Sequence, residues 1–343
     1  AMSAAGEGSC GSALQAGRCP TSAGPLRFLY RPGCGVPLLA LPGAAGRAEH
    51  VELGCGPLLA LDWPGSGEST ELLPRWSTEG LAALVGEVLD ALALPQVIVL
   101  GHSLGAMVAM HVAADARVVG VVLLAPAPGL LPCLREGFWP FPLYSVLVLI
   151  ACALSLCNAL ALREASRSDL NRAWLLHGLE PEVLSAERWR AAERCSRPRA
   201  AAPAGWRVWL QRRLGDVAAL VAVLSHRMPP RESLAGRHVA VVWGERDALV
   251  DARASRLAAR LLAGDGAAAT KTASVRTDAR GPWVRTSVSQ TSGHFLRWGA
   301  PELLAEVISD MRARTAPHTA EGPCALGRVL ERACPAGAAT PSC

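Results

Sequence analysis

The chain has 343 residues, of which 51% are hydrophobic and 18% are charged, and its formal net charge is +5. This length can bury a full hydrophobic core, and the mean hydropathy of +0.26 is high for a soluble protein, so contact with a membrane stays open. The modest positive charge, with no dense run of Lys and Arg, argues against a nucleic-acid-binding surface.

The 11 cysteines are scattered, with neither a C-x-x-C pair nor the spacing of a zinc site, so we expect no metal site. An odd number of cysteines without a visible secretory signal favours an intracellular, reducing compartment, either the cytoplasm or an organelle. Residues 1–24 are rich in Ala, Gly and Ser and are expected to be disordered. One interpretation is that they are the remainder of a transit sequence.

Predicted strands and helices alternate along the chain. The apolar runs that predict strands are, in chain order, residues 27–30, 36–41, 57–61, 96–100, 118–124, 238–243 and 283–288. The runs with helical spacing of apolar residues are 77–94, with Ser77 or Thr78 as N-cap, 104–116, 252–262 and 301–314. This alternation predicts an α/β fold, a mostly parallel central sheet with helices on both faces, in which ligands bind at the carboxyl ends of the strands.

The alternating pattern is interrupted twice. Residues 127–237 are basic and helical in composition, and the strand pattern resumes at His238, so we interpret them as a helical cap inserted between two strands of one sheet. Residues 263–281 are of low complexity and are predicted to form a loop. The predicted organisation is a disordered segment at 1–24, a core of residues 25–126 and 238–314, the cap at 127–237 and a disordered tail at 315–343.

The pentapeptide GHSLG, residues 101–105, joins a predicted strand to a predicted helix. The chain must turn there within about two residues, which places Ser103 at the apex in a strained backbone conformation. Gly101 and Gly105 remove side chains that would collide, and the Ser103 hydroxyl points outward at the helix N-terminus, where N–H groups stabilise an oxyanion. This context favours a nucleophile elbow over a chance match.

A serine nucleophile needs a base within hydrogen-bond reach and a carboxylate that fixes the tautomer of the base. Two further segments supply these groups: Asp247 follows the strand that begins at His238, and His294 follows the last predicted strand. Glu245 is the competing acid, because side chains two residues apart in an extended segment face the same way. We favour Asp247, whose position after this strand matches the pattern of a known enzyme family.

Five segments resemble the α/β-hydrolase family: LLALPGAAG, LLALDWPGSGES, VIVLGHSLG, VVWGERDALV and SGHF, which lie within roughly residues 25–314. The family order of serine, acid and histidine is the order found here. By this resemblance Ser103 is the nucleophile, His294 is the general base and then the general acid, and Asp247 orients His294.

The resemblance also implies an oxyanion hole formed by the backbone N–H groups of Leu104 and Ala44. Most relatives carry His-Gly at the loop before Ala44, whereas this chain has Pro42 and Gly43. The proline keeps the shape of the loop but lacks a side-chain donor, so the hole is expected to be less well braced. The short link from Gly43 to Asp62 also puts the first helix of the family in doubt.

The segment DWPGSGES resembles the Asp-x-x-Gly-x-Gly-x-Ser turn of the same family. Asp62, Gly65, Gly67 and Ser69 are expected to shape this turn rather than to take part in catalysis. The histidines that match no motif are expected to be structural or solvated; they are His50, His111, His177 and His226.

Residues 143–162 form an apolar run of 20 residues without a charge, long enough to span a bilayer. A single crossing would leave Ser103 and His294 on opposite sides of the membrane, and one sheet could not form. Two interpretations therefore stay open: a cap helix buried over the pocket, which we favour, and peripheral membrane contact through a helix in the interface. Both predict an apolar acyl or aromatic substrate.

These features predict a cofactor-independent, esterase- or lipase-like serine hydrolase that cleaves a carboxylic ester of a small hydrophobic substrate through an acyl-enzyme. Thioester, lactone and carbon–carbon bond hydrolysis would use the same triad. Epoxide hydrolysis is disfavoured because relatives of that type carry Asp at the elbow, where this chain has Ser103. A membrane-associated lipid acyltransferase is disfavoured because the His-x-x-x-x-Asp motif of such enzymes is absent. The alternative from another class is a non-catalytic protein of this fold that uses the pocket to bind a ligand.

Overall fold

The computed structural model describes residues 14–44, 46–51, 53, 56–69, 76–141, 190, 215, 218–219, 221–264, 274–276 and 283–315. Most of the predicted cap, including the apolar run 143–162, lies outside the described residues. The same is true of residues 1–13, of the tail from 316 onward and of most of the predicted loop.

A nine-stranded sheet forms the centre of the described part of the chain. The strands are β1 Gln15–Cys19, β2 Leu26–Arg31, β3 Leu38–Leu41, β4 Leu58–Leu61, β5 Val97–His102, β6 Val118–Leu124, β7 His238–Gly244, β8 Ser274–Arg276 and β9 Trp283–Ser289. Their order across the sheet is β1-β2-β4-β3-β5-β6-β7-β9-β8. The strands from β4 to β9 in this order are parallel, and the antiparallel pairs lie at the two edges, between β1, β2 and β4 and between β8 and β9.

Helices cover both faces of the sheet. They are α1 Thr78–Ala91, α2 Leu104–Val112, α3 Leu130–Arg135, α4 Ala252–Ala263, α5 Leu296–Gly299 and α6 Pro301–Thr315. Side chains alternate along each strand, so Leu39 and Leu41 join the core formed with α1, α2 and α4, whereas Leu38 and Ala40 join the core formed with α6. The predicted α/β fold with a mostly parallel sheet is confirmed, and its central strands are apolar because both of their faces are buried.

The structure selects Ser77 rather than Thr78 as the N-cap of α1. Ser77 has an extended backbone, and its side chain accepts a hydrogen bond from the Gly80 N–H at 3.0 Å. The helix ends at Ala91 instead of continuing to residue 94, because the chain turns at Ala93, where φ is 46°. Helix α2 is likewise shorter than predicted and ends at Val112.

The expectation that residues 1–24 are disordered is wrong for Gln15–Cys19, which form strand β1. This strand pairs antiparallel with β2, and Cys19 lies opposite Leu26. The turn between them is closed by two backbone hydrogen bonds between Thr21 and Gly24, of 2.9 and 3.2 Å. Composition missed β1 because a half-exposed edge strand is held by backbone pairing with a buried neighbour and needs few apolar residues of its own.

One further prediction of irregular structure needs correction. The predicted loop at 263–281 contains β8, which extends the sheet beyond β9. Three residues are too few to produce a periodic pattern, so the sequence could not indicate this strand. The link between Gly43 and Asp62 contains a short 3-10 helix, Ala48–Val51, where the sequence left the presence of a helix in doubt.

Within the described ranges, no helix combines the length and the apolar composition that a bilayer crossing requires. The run 143–162 lies outside those ranges, so both interpretations of it remain predictions. Of the described cysteines, Cys19 and Cys133 are buried and Cys34 is exposed.

Candidate active site

Ser103 lies at the turn between β5 and α2, with a φ of 55° and a ψ of −116°. This conformation is strained for a residue with a side chain, and a hydrogen bond of 2.9 Å from the Ser103 N–H to the Leu124 carbonyl on the neighbouring strand helps to hold it. A Cβ atom on Gly105 would lie 2.1 Å from the Leu41 carbonyl oxygen, and one on Gly101 would lie equally close to the Gly105 carbonyl oxygen. Glycine at both positions therefore permits the sharp strand-to-helix turn.

The loop after β3 lies against Ser103. A Cβ atom on Gly43 would be 3.2 Å from the Ser103 Cβ atom, so the backbone of this loop passes directly beside the serine. The backbone N–H groups of Ala44 and Leu104 have no hydrogen-bond partner among the described residues. Two N–H groups in this position are the donors that an oxyanion hole requires.

Trp63 braces this loop, a contact that sequence reasoning missed. The fully buried Trp63 indole donates its Nε1–H to the Pro42 carbonyl at 2.7 Å, and the Gly46 N–H donates to the Gly43 carbonyl at 3.0 Å. The sequence departs from the family pattern at Pro42, yet the backbone carbonyl of that residue is anchored by a side chain from the turn after β4. Nothing in the DWPGSGES segment itself indicates which distant carbonyl its Trp contacts.

Asp247 and His294 form a buried hydrogen-bonded pair. His294 Nδ1 lies 2.7 Å from Asp247 Oδ2, and the two side chains are 4% and 1% exposed. The other carboxylate oxygen, Oδ1, accepts hydrogen bonds from the N–H groups of Leu249 and Val250, each at 2.9 Å. With its Nδ1–H donated to the carboxylate, a neutral His294 ring has Nε2 available as a base.

Glu245, the competing acid, points elsewhere. Its carboxylate pairs with the Arg256 guanidinium at 2.8 Å and accepts a hydrogen bond from the Trp243 indole at 3.2 Å. The chain turns after β7, where the Asp247 N–H donates to the Gly244 carbonyl at 3.3 Å, so the alternation of an extended segment does not apply there. In this structure the acid that contacts His294 is Asp247.

His102 connects the serine turn to the His294 loop, a role that the sequence did not indicate. Its Nε2 lies 3.0 Å from the His294 carbonyl oxygen, and the two ring centroids are 4.6 Å apart. Burial, with a smaller effect of His294, lowers the pKa of His102 to about 3. The ring is therefore neutral near pH 7, and its Nε2–H donates to the carbonyl.

Strands β5, β7 and β9 run parallel, so Ser103, Asp247 and His294 follow their carboxyl ends at one edge of the sheet. The structure brings Asp247 and His294 into direct contact and places Ser103 next to His102, which contacts His294. Ser103 Oγ and His294 Nε2 have no hydrogen-bond partner within the described part of the chain.

Asp62 is the buried centre of the turn after β4. Its carboxylate accepts hydrogen bonds from the Ala48 N–H at 2.7 Å, the Glu68 N–H at 3.0 Å and the Arg27 guanidinium at 3.0 Å. Gly67 has a φ of 53°, and a Cβ atom there would lie 2.2 Å from Asp62 Oδ2. Gly65 and Ser69 belong to the same turn: Gly65 has a φ of 69°, and Ser69 Oγ accepts from the Arg27 N–H at 2.8 Å.

A second histidine cluster lies between α1, α2 and the segment after residue 225. The Thr78 hydroxyl contacts His226 Nδ1 at 3.0 Å and His111 Nε2 at 3.3 Å. Burial, followed by the nearby His111, lowers the pKa of His226 to about 3, so this ring is neutral near pH 7. In the described ranges, no group of His, Cys, Asp and Glu side chains is arranged to hold a metal ion.

A family model described as "alpha/beta hydrolase fold" matches residues 57–276. The chain belongs to the α/β hydrolase family. The matched range includes Ser103 and Asp247, whereas His294 and the Gly43 loop lie outside it. A search of curated proteins with this α/β hydrolase sequence found no match.

Solved structures similar to this α/β hydrolase include an esterase from Exiguobacterium antarcticum, with 15% identity and a TM-score of 0.61 over 86% of this chain and 98% of the esterase. The enol-lactonase from Burkholderia xenovorans LB400 has 14% identity and a TM-score of 0.60, covering 87% of this chain and all (100%) of the lactonase. A hydrolase from Pseudomonas aeruginosa PA01 has 17% identity and a TM-score of 0.56, covering 86% and 97% of the two chains. At such low identity the likeness shows the fold, and together with the family it supports hydrolase activity.

Proposed function

We propose that this α/β hydrolase is a cofactor-independent serine hydrolase that cleaves a carboxylic ester of a small hydrophobic substrate through an acyl-enzyme. The observation that carries the proposal is the 2.7 Å contact between His294 Nδ1 and Asp247 Oδ2, at the sheet edge that also bears the strained Ser103. A buried carboxylate that fixes the tautomer of a histidine is the arrangement that makes a nearby serine reactive.

In the proposed reaction, His294 Nε2 takes the proton from Ser103 Oγ as Oγ attacks the ester carbonyl carbon. The N–H groups of Leu104 and Ala44 donate hydrogen bonds to the oxyanion of the tetrahedral intermediate. His294 then gives the proton to the leaving alcohol, and the acyl group stays on Ser103. His294 then takes a proton from a water molecule, whose oxygen attacks the acyl carbonyl carbon. As the bond from that carbon to Ser103 Oγ breaks and the acid leaves, His294 returns the proton to Oγ.

The names of two neighbours support the proposed bond type, because an esterase and an enol-lactonase are both named for ester bonds. A thioester would react through the same steps. A poorly braced loop at Pro42 would favour the non-catalytic alternative. The hydrogen bond from Trp63 to the Pro42 carbonyl braces this loop and so weighs against that alternative.

Labelling with a fluorophosphonate probe tests the proposal without knowledge of the substrate, because the probe reacts with activated serines. Wild-type protein and a Ser22→Ala variant, altered at an exposed serine in the β1–β2 turn, are expected to be labelled equally. The Ser103→Ala variant is expected to lose labelling completely. A folded wild-type protein that the probe does not label would overturn the proposal and leave ligand binding as the function.

A series of p-nitrophenyl esters of increasing acyl length then tests the substrate class. We expect kcat/KM to rise with chain length, because each methylene buried in an apolar pocket adds about 0.8 kcal/mol of binding free energy. A preference for the acetate ester would contradict the hydrophobic substrate.

A further inference from the structure

Exposed apolar side chains are concentrated in one groove of the described surface. Of the large hydrophobic residues exposed there, Leu131, Leu134 and Leu261 line a single groove between α3, the segment 224–231 and α4; they are 58%, 48% and 37% exposed. The groove has a volume of about 730 Å³, and Leu224 and Met228 also line it. A contiguous apolar surface of this kind marks an interaction site more often than isolated exposed residues do.

Arginines surround the groove. Arg227 and Arg231 line it, Arg135 follows Leu134 on α3, and Arg260 precedes Leu261 on α4. Two nearby acids partly balance this charge, because Arg260 pairs with Glu136 at 3.1 Å and Arg231 pairs with Glu232 at 3.4 Å. The side chains of Arg135 and Arg227 are exposed and make no ion pair within the described ranges. Four arginines against two glutamates leave a local charge of +2.

We propose that this groove docks on the surface of an anionic phospholipid bilayer. The exposed leucines would enter the boundary between headgroups and acyl chains, and Arg135 and Arg227 would bind lipid phosphates. An anionic bilayer has an apolar layer directly beneath a layer of negatively charged headgroups. The exposed leucines of the groove match the apolar layer, and the unpaired guanidinium groups of Arg135 and Arg227 match the headgroups.

The groove begins near the carboxyl edge of the sheet. Helix α3 begins six residues after β6, on the chain that leaves the carboxyl edge of the sheet, and Ser103 lies at the same edge. The Ala125 N–H donates to the Val242 carbonyl at 2.8 Å and ties this connection to β7. From there the groove continues to Leu261, near the carboxyl end of α4, and to the segment that leads into the amino end of β7, so it lies along a flank of the sheet. A second copy of the chain fits less well, because a two-fold contact would bring the arginine-rich groove against itself.

The test is flotation of the full-length chain with vesicles of phosphatidylcholine alone or with added phosphatidylserine. The chain carries Ser103→Ala so that no lipid is cleaved. We expect binding only to the anionic vesicles, and we expect high salt to weaken it because salt screens exposed charges. Replacing both Arg135 and Arg227 by Gln is expected to weaken binding roughly 30-fold. Replacing both Leu131 and Leu134 by Ser is expected to weaken it at least about tenfold.

The matched control is Arg18→Gln, an exposed arginine on β1 at the far edge of the sheet, whose loss is expected to leave binding within about twofold of the parent. Absence of binding to anionic vesicles would overturn the proposal, as would equal binding to neutral vesicles or equal binding by the groove variants. A dimer in solution that the leucine replacements dissociate would assign the groove to a second copy. Because labelling of Ser103 is measured without vesicles, this proposal and the proposed function fail independently.

Discussion

Two pairs of histidine rings in this molecule differ in the group that orients them. At the carboxyl edge of the sheet, His102 and His294 have ring centroids 4.6 Å apart, and His294 is held by the buried carboxylate of Asp247. Beside α1, His111 and His226 have centroids 5.5 Å apart and share a hydroxyl of Thr78. Each pair consists of two histidines, but only the pair of His102 and His294 has a buried carboxylate in contact with one of its rings.

The difference teaches what makes a histidine useful for catalysis. A carboxylate only accepts hydrogen bonds, so Asp247 requires a proton on His294 Nδ1, and in the neutral ring Nε2 then carries none. The Thr78 hydroxyl can donate or accept, so by itself it fixes neither ring of the second pair, and His111 is also held by a backbone hydrogen bond with Arg227. The nearby acid there, Glu79, is 55% exposed and lies 3.7 Å from His111. The second pair joins α1, α2 and the segment after residue 225, and no buried carboxylate contacts either of its rings.

The largest effect is expected from the carboxylate itself. Asp247→Asn should lower kcat for a p-nitrophenyl ester by about 10,000-fold, because the amide no longer holds His294 in the required tautomer. Glu245→Gln, two residues earlier, should leave kcat within about threefold, because its partner is Arg256. Equal losses in the two variants would contradict the assignment of the acid.

Removing one ring from each pair should separate catalysis from stability. His102→Ala should lower kcat by about 10- to 100-fold, because the His294 loop loses the hydrogen bond to its carbonyl and the base shifts. His226→Ala should leave kcat nearly unchanged but lower the free energy of unfolding by about 2–3 kcal/mol, since it removes a buried ring and its contact with Thr78. Steady-state kinetics and urea unfolding of both variants measure the two effects, and a large loss of kcat in His226→Ala would remove the distinction.

The smallest effect concerns pH. His226 is buried with a pKa of about 3, whereas a histidine in the unfolded chain has a pKa near 6.5. Between these values the unfolded state binds more protons, so the stability that His226 provides falls as the pH drops below about 6.5. The loss should reach about 2 kcal/mol at pH 5.

Urea unfolding at pH 7.5 and pH 5.0 measures this loss, and the His226→Asn variant should show a smaller pH dependence than the wild type by that amount. His102, with a similar pKa, should keep its own contribution in both proteins. An identical pH dependence in wild type and variant would show that His226 takes up its proton while folded.

The catalytic candidates were predictable because their pattern is local. The elbow needs small residues two positions before and after a serine, and the close contacts of Gly101 and Gly105 explain why. The sequence could not choose between Asp247 and Glu245 from spacing alone, because that choice depends on the turn after β7. His102 and Trp63 were missed for a related reason: each contacts a segment far away in the chain, and nothing in its own neighbourhood indicates that contact.

By itself, the sequence determined the alternation of strands and helices, the parallel sheet and the turn that carries Ser103, because these follow from apolar periodicity and glycine placement within short segments. The tertiary structure decided that Gln15–Cys19 form an edge strand, that Asp247 rather than Glu245 contacts His294, and that Trp63 braces the loop of Pro42. Each of these depends on backbone pairing or on hydrogen bonds between distant segments. Such contacts form only when the sheet brings those segments together, so no local pattern encodes them.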